Sequence, residues 1–282
     1  MLLDVSVVNV ALESLRVGFD TDVAGLQWVV NAYTLVFAAL LLITGALGDR
    51  LGAKRVFMAG LAVFTLASLG CGVATSLSVL ITARIVQGLG AAMLVPTSLS
   101  LLQQVFPDPV ARSRAVGWWG AAGGIALAAG PVLGGLLVTR IGWRGIFLIN
   151  LPIRLLGLWL ALRNAPAPLA RPSKGFDLPG QCTAIIALGS LTAALTEASR
   201  LGWQHPFVLG GLAFSFLAGG LFLRLKSRSP HPMLPLALFR NSTFSVASTA
   251  GLIVNFAYYG LVFVFSLWWS NLKRHNDRFF QT

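Results

Sequence analysis

Charge is what this sequence has least of. Lys, Arg, Asp and Glu make up 11% of its 282 residues, and only nine residues are acids, whereas a water-soluble domain carries roughly a quarter charged residues. That scarcity excludes a soluble globular chain. Cysteine is nearly absent, and Cys71 and Cys182 fall at opposite membrane depths in the topology derived below, so no disulfide framework is expected. The histidines, His205, His231 and His275, are scattered through loops and tail without metal-ligand spacing. Neither a metal nor another cofactor is expected. No G-x-x-x-x-G-K-[ST] loop is present, which disfavours an ATP-driven pump. Paired catalytic carboxylates, a nucleophile motif and filter-like loops are missing too, so the sequence predicts neither an enzyme nor a channel. The opening also lacks the basic n-region and A-x-A-like site of a cleavable signal peptide.

What is abundant is apolar sequence: 56% of residues are hydrophobic and the mean hydropathy is +0.79. Runs near 24–47, 56–76, 78–103, 115–138, 145–162, 180–198, 206–223 and 243–269 are long enough to cross a bilayer, which takes about 20 residues. The first residues form a partial ninth. The sequence therefore predicts an all-α integral membrane protein. A net charge of +12 could suggest nucleic acid, but the bases alternate between loops. With 49–55 taken as cytoplasmic, that side holds Arg50, Lys54, Arg55, Arg112, Arg114, Arg163, Arg171, Lys174, Arg224, Lys226, Arg228 and Arg240. The other side holds Arg16, Arg140, Arg144 and Arg200. This is the positive-inside bias, so the basicity reports topology and no nucleic-acid partner is expected.

From Met1 to Leu15 a helix rises only about 22 Å, short of a hydrocarbon core of about 30 Å. The chain is expected to begin inside its first helix. At the other end the polar "SNLKRHNDRFFQT" puts bases on the outer side, so residues 270–282 are expected to be an aberrant tail on a chain truncated at both ends.

Four segments carry chemistry. In "GALGDRLGAKR", Gly45 permits close helix approach and Gly52 a tight turn. Asp49 is placed to cap a helix, and Arg50, Lys54 and Arg55 to pair with it or with lipid headgroups. In "ARIVQGLGAAMLVP", Arg84 lies on an apolar run, where a charge costs several kcal/mol unless paired or water-facing; alternatively it snorkels to the outer interface. Gly88 and Gly90 lack the preceding strand and third glycine of a dinucleotide loop. In "GWWGAAGGIALAAGPVLGGLL", Gly120, Gly124, Ala128, Pro131 and Gly135 recur every three or four residues, a face on which another helix can pack, with a kink expected at Pro131. The opening "LLDVSVVNVALE" puts Asp4 into lipid with Ser6 and Asn9 as nearby polar company.

These segments resemble motifs of the major facilitator superfamily, in its fourteen-helix drug:proton antiporter branch, over roughly residues 2–268. Gly45, Leu47, Asp49, Arg50, Gly52, Lys54 and Arg55 match the loop between helices 2 and 3, which the resemblance makes a cytoplasmic gate. Arg84, Gln87, Gly88 and Gly90 match the fourth-helix motif, and Asp4 the helix-1 motif, implying proton coupling by Asp4 and Arg84. Gly120, Gly124, Gly130, Pro131, Gly134 and Gly135 resemble the fifth-helix motif of exporters. The segments 28–35, 142–153, 176–180 and 232–244 are similar to further parts of the branch, with Arg154 where glycine is usual.

The resemblance implies the major facilitator fold: an N-terminal six-helix bundle over 1–163, two inserted linker helices over 164–240 and the first helix of a C-terminal bundle over 241–269. Asn31, Tyr33 and Gln87 would line the substrate cavity with Asp4, and Trp28 would lie nearer the outer face. Trp28, Trp118, Trp119 and Trp143 also suit an interface belt, and Glu197 a solvated helix end. An acid among aromatics suits a lipophilic or cationic small molecule. The expected function is proton-coupled export of amphipathic molecules or drugs across a bacterial inner membrane. The alternative is a non-transporting remnant, or a half-carrier needing a second chain.

Overall fold

The computed structural model describes residues 1–166, 178–228, 241–257 and 260, and every regular element among them is an α-helix. α1 spans Leu2–Phe19, α2 Val23–Leu51, α3 Ala53–Gly72, α4 Leu77–Val105 and α5 Pro109–Ile141; α6 is the turn Gly145–Leu148, α7 is Asn150–Asn164, α8 Leu178–Leu201 and α9 Pro206–Arg228. A further apolar helix, α10, covers Ser242–Ala257. Among the described residues seven stretches are long and apolar enough to cross a membrane, with Gly145–Asn164 counted as one. Residues 167–177, 229–240 and 270–282, which hold Arg171, Lys174, His231, Arg240 and His275, lie outside the described residues. The chain divides into two units, Met1–Met233 and Leu234–Thr282; α10 belongs to the second, and all the contacts below lie in the first.

Helix boundaries follow local chemistry. Asp22, Ser76 and Asp108 each accept a hydrogen bond from the amide three residues on, at 2.8, 3.3 and 2.8 Å, satisfying donors that open a helix. Pro109, which lacks such a donor, begins α5. α2 and α3 are parted by Gly52 alone, whose φ of +91° only glycine adopts readily. The expected 49–55 loop is therefore a one-residue joint: Asp49 and Arg50 lie in the last turn of α2, and Lys54 and Arg55 in the first turn of α3.

α1 packs mainly on α5, while α4 packs mainly on α2 and α3, and α7 on α3. Gly88 and Gly90 make the close contacts of α4 possible. A Cβ on Gly88 would lie 2.6 Å from the Tyr33 carbonyl oxygen of α2, and one on Gly90 2.7 Å from the Phe64 nitrogen of α3. Two apolar clusters result. One gathers Val7, Val8, Val29, Cys71, Leu80 and Phe147; the other gathers Tyr33, Leu61, Phe64, Ala91 and Leu94. Along α4, Leu80 belongs to the first and Ala91 to the second, so Arg84 and Gln87 fall in a polar layer between them.

Candidate functional site

α1, α3, α4 and α7 each contribute to that layer. Arg84 donates through Nη1 to Asp4 Oδ2 at 2.7 Å and to Gln87 Oε1 at 2.7 Å, and through Nε to the Val29 carbonyl at 3.1 Å. Gln87 donates through Nε2 to Asp4 Oδ1 at 3.1 Å and to the Ser68 hydroxyl at 2.8 Å. Asn150 Nδ2 donates to Asp4 Oδ1 at 2.8 Å. The Arg84 guanidinium also lies 4.1 Å from the centre of the Tyr33 ring. Asp4 and Arg84 are each 1% exposed.

Arg84 thus does not snorkel to the outer interface. A buried charge is tolerated when an opposite charge and hydrogen bonds replace its water, and Asp4, Gln87 and the Val29 carbonyl do so here. The polar company expected for Asp4 is corrected as well. Ser6 donates instead to the Leu127 carbonyl of α5 at 2.8 Å, and Asp4 is held by side chains at least 80 residues away in sequence. Asn150 and Ser68 were not expected in the site. Their only signal is a polar residue inside an apolar run.

Of the residues expected to line a cavity, Tyr33 and Gln87 are 1% and 0% exposed and belong to the polar layer. Asn31 turns away from it, donating to the Thr196 hydroxyl of α8 at 2.8 Å. Beside it Trp28 Nε1 donates to Glu197 at 3.2 Å, and Arg200 donates to the same carboxylate at 3.0 Å. Glu197 is therefore engaged, not merely solvated. Trp143 is buried against Phe19 and Phe147 instead of standing in a belt, whereas Trp118 and Trp119 are exposed.

On α5, contact with α1 runs through Gly123, Gly130 and Gly134, which face Leu2, Ser6 and Val7. Gly120, Gly124 and Gly135 have nothing within 4 Å among the described residues, and Pro131 is exposed. The expected stripe therefore lies beside the face that packs on α1. At the joint between α2 and α3, Gly45 rests against Pro96. Asp49 is exposed at the end of α2 and caps no helix start, since Gly52 holds that position for α3. Lys54 donates to the carbonyls of Leu162 and Ala165 at 3.2 and 2.8 Å, covering the end of α7 where a cation suits the helix dipole. Leu47 is half-buried and Arg55 exposed.

The sequence matches the Major Facilitator Superfamily over residues 1–280. It is 40% identical to the methylenomycin A resistance protein of Streptomyces coelicolor over 271 residues, covering 96% of this chain and 57% of that protein. It is 38% identical to the multidrug resistance protein Stp of Mycobacterium tuberculosis over 273 residues, covering 97% of this chain and 51% of that protein. The chain thus spans about half the length of these relatives. A solved bacterial homologue of the human lysosomal transporter Spinster, inward-facing and unoccupied, aligns with a TM-score of 0.47 at 18% identity, over 81% of this chain and 61% of that one.

Proposed function

The chain belongs to the major facilitator superfamily, and from that premise we propose that it works in a bacterial plasma-membrane exporter that exchanges protons for an amphipathic small molecule. The observation that carries this reading is the Asp4 carboxylate, 1% exposed and paired with Arg84 at 2.7 Å. Ionisable groups inside a membrane are rare and mark proton or substrate pathways, and Asp4 is the acid that ties α1 to Arg84 and Gln87 of α4. Support also comes from relatives named for drug resistance.

In this reading α1–α7 are the first bundle, α8 and α9 the inserted helices, and α10 the start of the second bundle. Protonation of Asp4 removes the charge that ties α1 to α4. Arg84 then remains as a buried cation with only neutral partners, a state worth several kcal/mol less than the ion pair. α1 packs mainly on α5 and α4 mainly on α2 and α3, so in this reading the Asp4–Arg84 pair links the two helix groups whose relative shift the exchange requires. Alternating access needs such a bistable element. Lys54 on the end of α7 would act as the cytoplasmic gate contact.

The test is proton-gradient-driven efflux of a fluorescent amphiphile from vesicles. The protein is this chain continued after residue 257 by the C-terminal part of the Streptomyces coelicolor relative. Asp4→Asn and Arg84→Ala are expected to abolish efflux while membrane insertion persists; unchanged efflux in both overturns the coupling assignment. A second reading is a half-carrier that pairs with another chain; the observation behind it is that a Cβ at Gly120 or Gly124 on α5 meets nothing within 4 Å among the described residues. Efflux from vesicles holding the 282-residue chain alone would support it.

A further inference from the structure

Three charged side chains are buried among the described residues: Asp4 at 1%, Arg84 at 1% and Arg154 at 8% exposure. One acid therefore faces two bases. Asp4 is taken up by Arg84, Gln87 and Asn150. Arg154 makes no ion pair with a described residue, and its buried Nε has no hydrogen-bond partner. Its guanidinium carbon lies 3.5 Å from the centre of the Phe64 ring. A cation over an aromatic face recovers part of the cost of burial, but the ring accepts none of the hydrogen bonds that the guanidinium edge offers. That shortfall is what an anion would supply.

The position suits such a ligand. Arg154 follows Asn150 by four residues on α7, so both side chains lie on one helix face, and Asn150 reaches Asp4. Of the charged and amide groups in the layer, Arg154 keeps the most exposure, against 3% for Asn150 and 0% for Gln87. Its planar fork matches a carboxylate better than any other side chain does.

We propose that Arg154 binds the anionic group, a carboxylate or a like singly charged oxyanion, of the small molecule that this protein carries. The inference rests on the export reading only in calling the ligand cargo. Of the expected lipophilic or cationic small molecule it sets aside the cation, because a cation would enter a layer that already holds two bases against one acid.

The test is saturable binding of radiolabelled benzoate to the purified 282-residue chain in detergent, with benzamide as the uncharged competitor of nearly the same shape. Unlabelled benzoate is expected to displace the label at concentrations about tenfold or more below those of benzamide, the difference that charge-assisted bonds make. Arg154→Gln is expected to remove that preference, and Arg154→Lys to keep only part of it, since the charge stays but the fork is lost. Absence of saturable benzoate binding to the unaltered chain, equal competition by benzamide, or an undiminished preference in Arg154→Gln overturns the proposal. The comparison of benzoate with benzamide on the unaltered chain holds even if a variant fails to fold. The readout is independent of transport: anion binding without proton-driven efflux would count against exchange and leave the site standing.

Discussion

Ser6 fills the space that Gly130 leaves open. A Cβ on Gly130 would lie 2.1 Å from the Ser6 hydroxyl oxygen and 2.3 Å from its Cβ, and that hydroxyl donates to the Leu127 carbonyl one turn earlier on α5. The contact seats α1 on α5, and so sets the height at which Asp4 enters the polar layer.

Glycines on the two faces of α5 should therefore respond differently. Gly130→Ala forces α1 and α5 apart and is expected to destabilise the chain by about 1–3 kcal/mol. Gly124→Ala meets nothing within 4 Å among the described residues and is expected to leave stability unchanged or raise it by up to about 1 kcal/mol. Thermal unfolding in detergent reads both. Equal melting temperatures for the two variants would refute the assignment of faces.

The Asp4–Arg84 pair should show strong coupling in a double-mutant cycle. Removing one partner strands a buried charge, at a cost of about 3–5 kcal/mol, whereas removing both leaves neutral groups. Asp4→Asn and Arg84→Gln are each expected to destabilise the chain more than the double variant does. Additive effects would show that the two groups do not sense each other's charge.

The joint between α2 and α3 separates backbone from side-chain effects. Gly52→Ala puts a side chain at φ +91° and is expected to cost about 1–2 kcal/mol. Lys54→Met keeps the apolar stem but removes the donor to Leu162 and Ala165, and is expected to speed amide hydrogen exchange in the last turn of α7 with little change elsewhere. Unchanged exchange there would remove Lys54 from any latch role.

Much of the fold was legible because the bilayer permits few solutions. A run of apolar residues must satisfy its backbone bonds internally, so the runs at 24–47 and 78–103 could only be helices. Their placement within α2 and α4 follows from that constraint together with the caps Asp22 and Ser76. Asp4 and Arg84 were legible singly for the same reason, each being a charge where charge is expensive. Asn150 was not, since an amide in an apolar run is common enough to carry no signal by itself, and Glu197 looked like any acid near a helix end.

The sequence by itself determined that this is a multi-pass helical membrane protein, which runs are helical, and which charges had to find partners. Only the tertiary structure decided who the partners are. Asp4 meets Arg84, Gln87 and Asn150 across 80 to 146 positions of sequence, Asn31 goes to α8 instead of the central layer, and Arg154 is left with an aromatic face. The physical reason is that hydrophobicity acts on each helix separately, whereas pairing of buried polar groups depends on how close two helices come and at what height. Small contacts such as Gly88 on Tyr33 and Gly130 on Ser6 set those distances, and no periodicity along one chain encodes them.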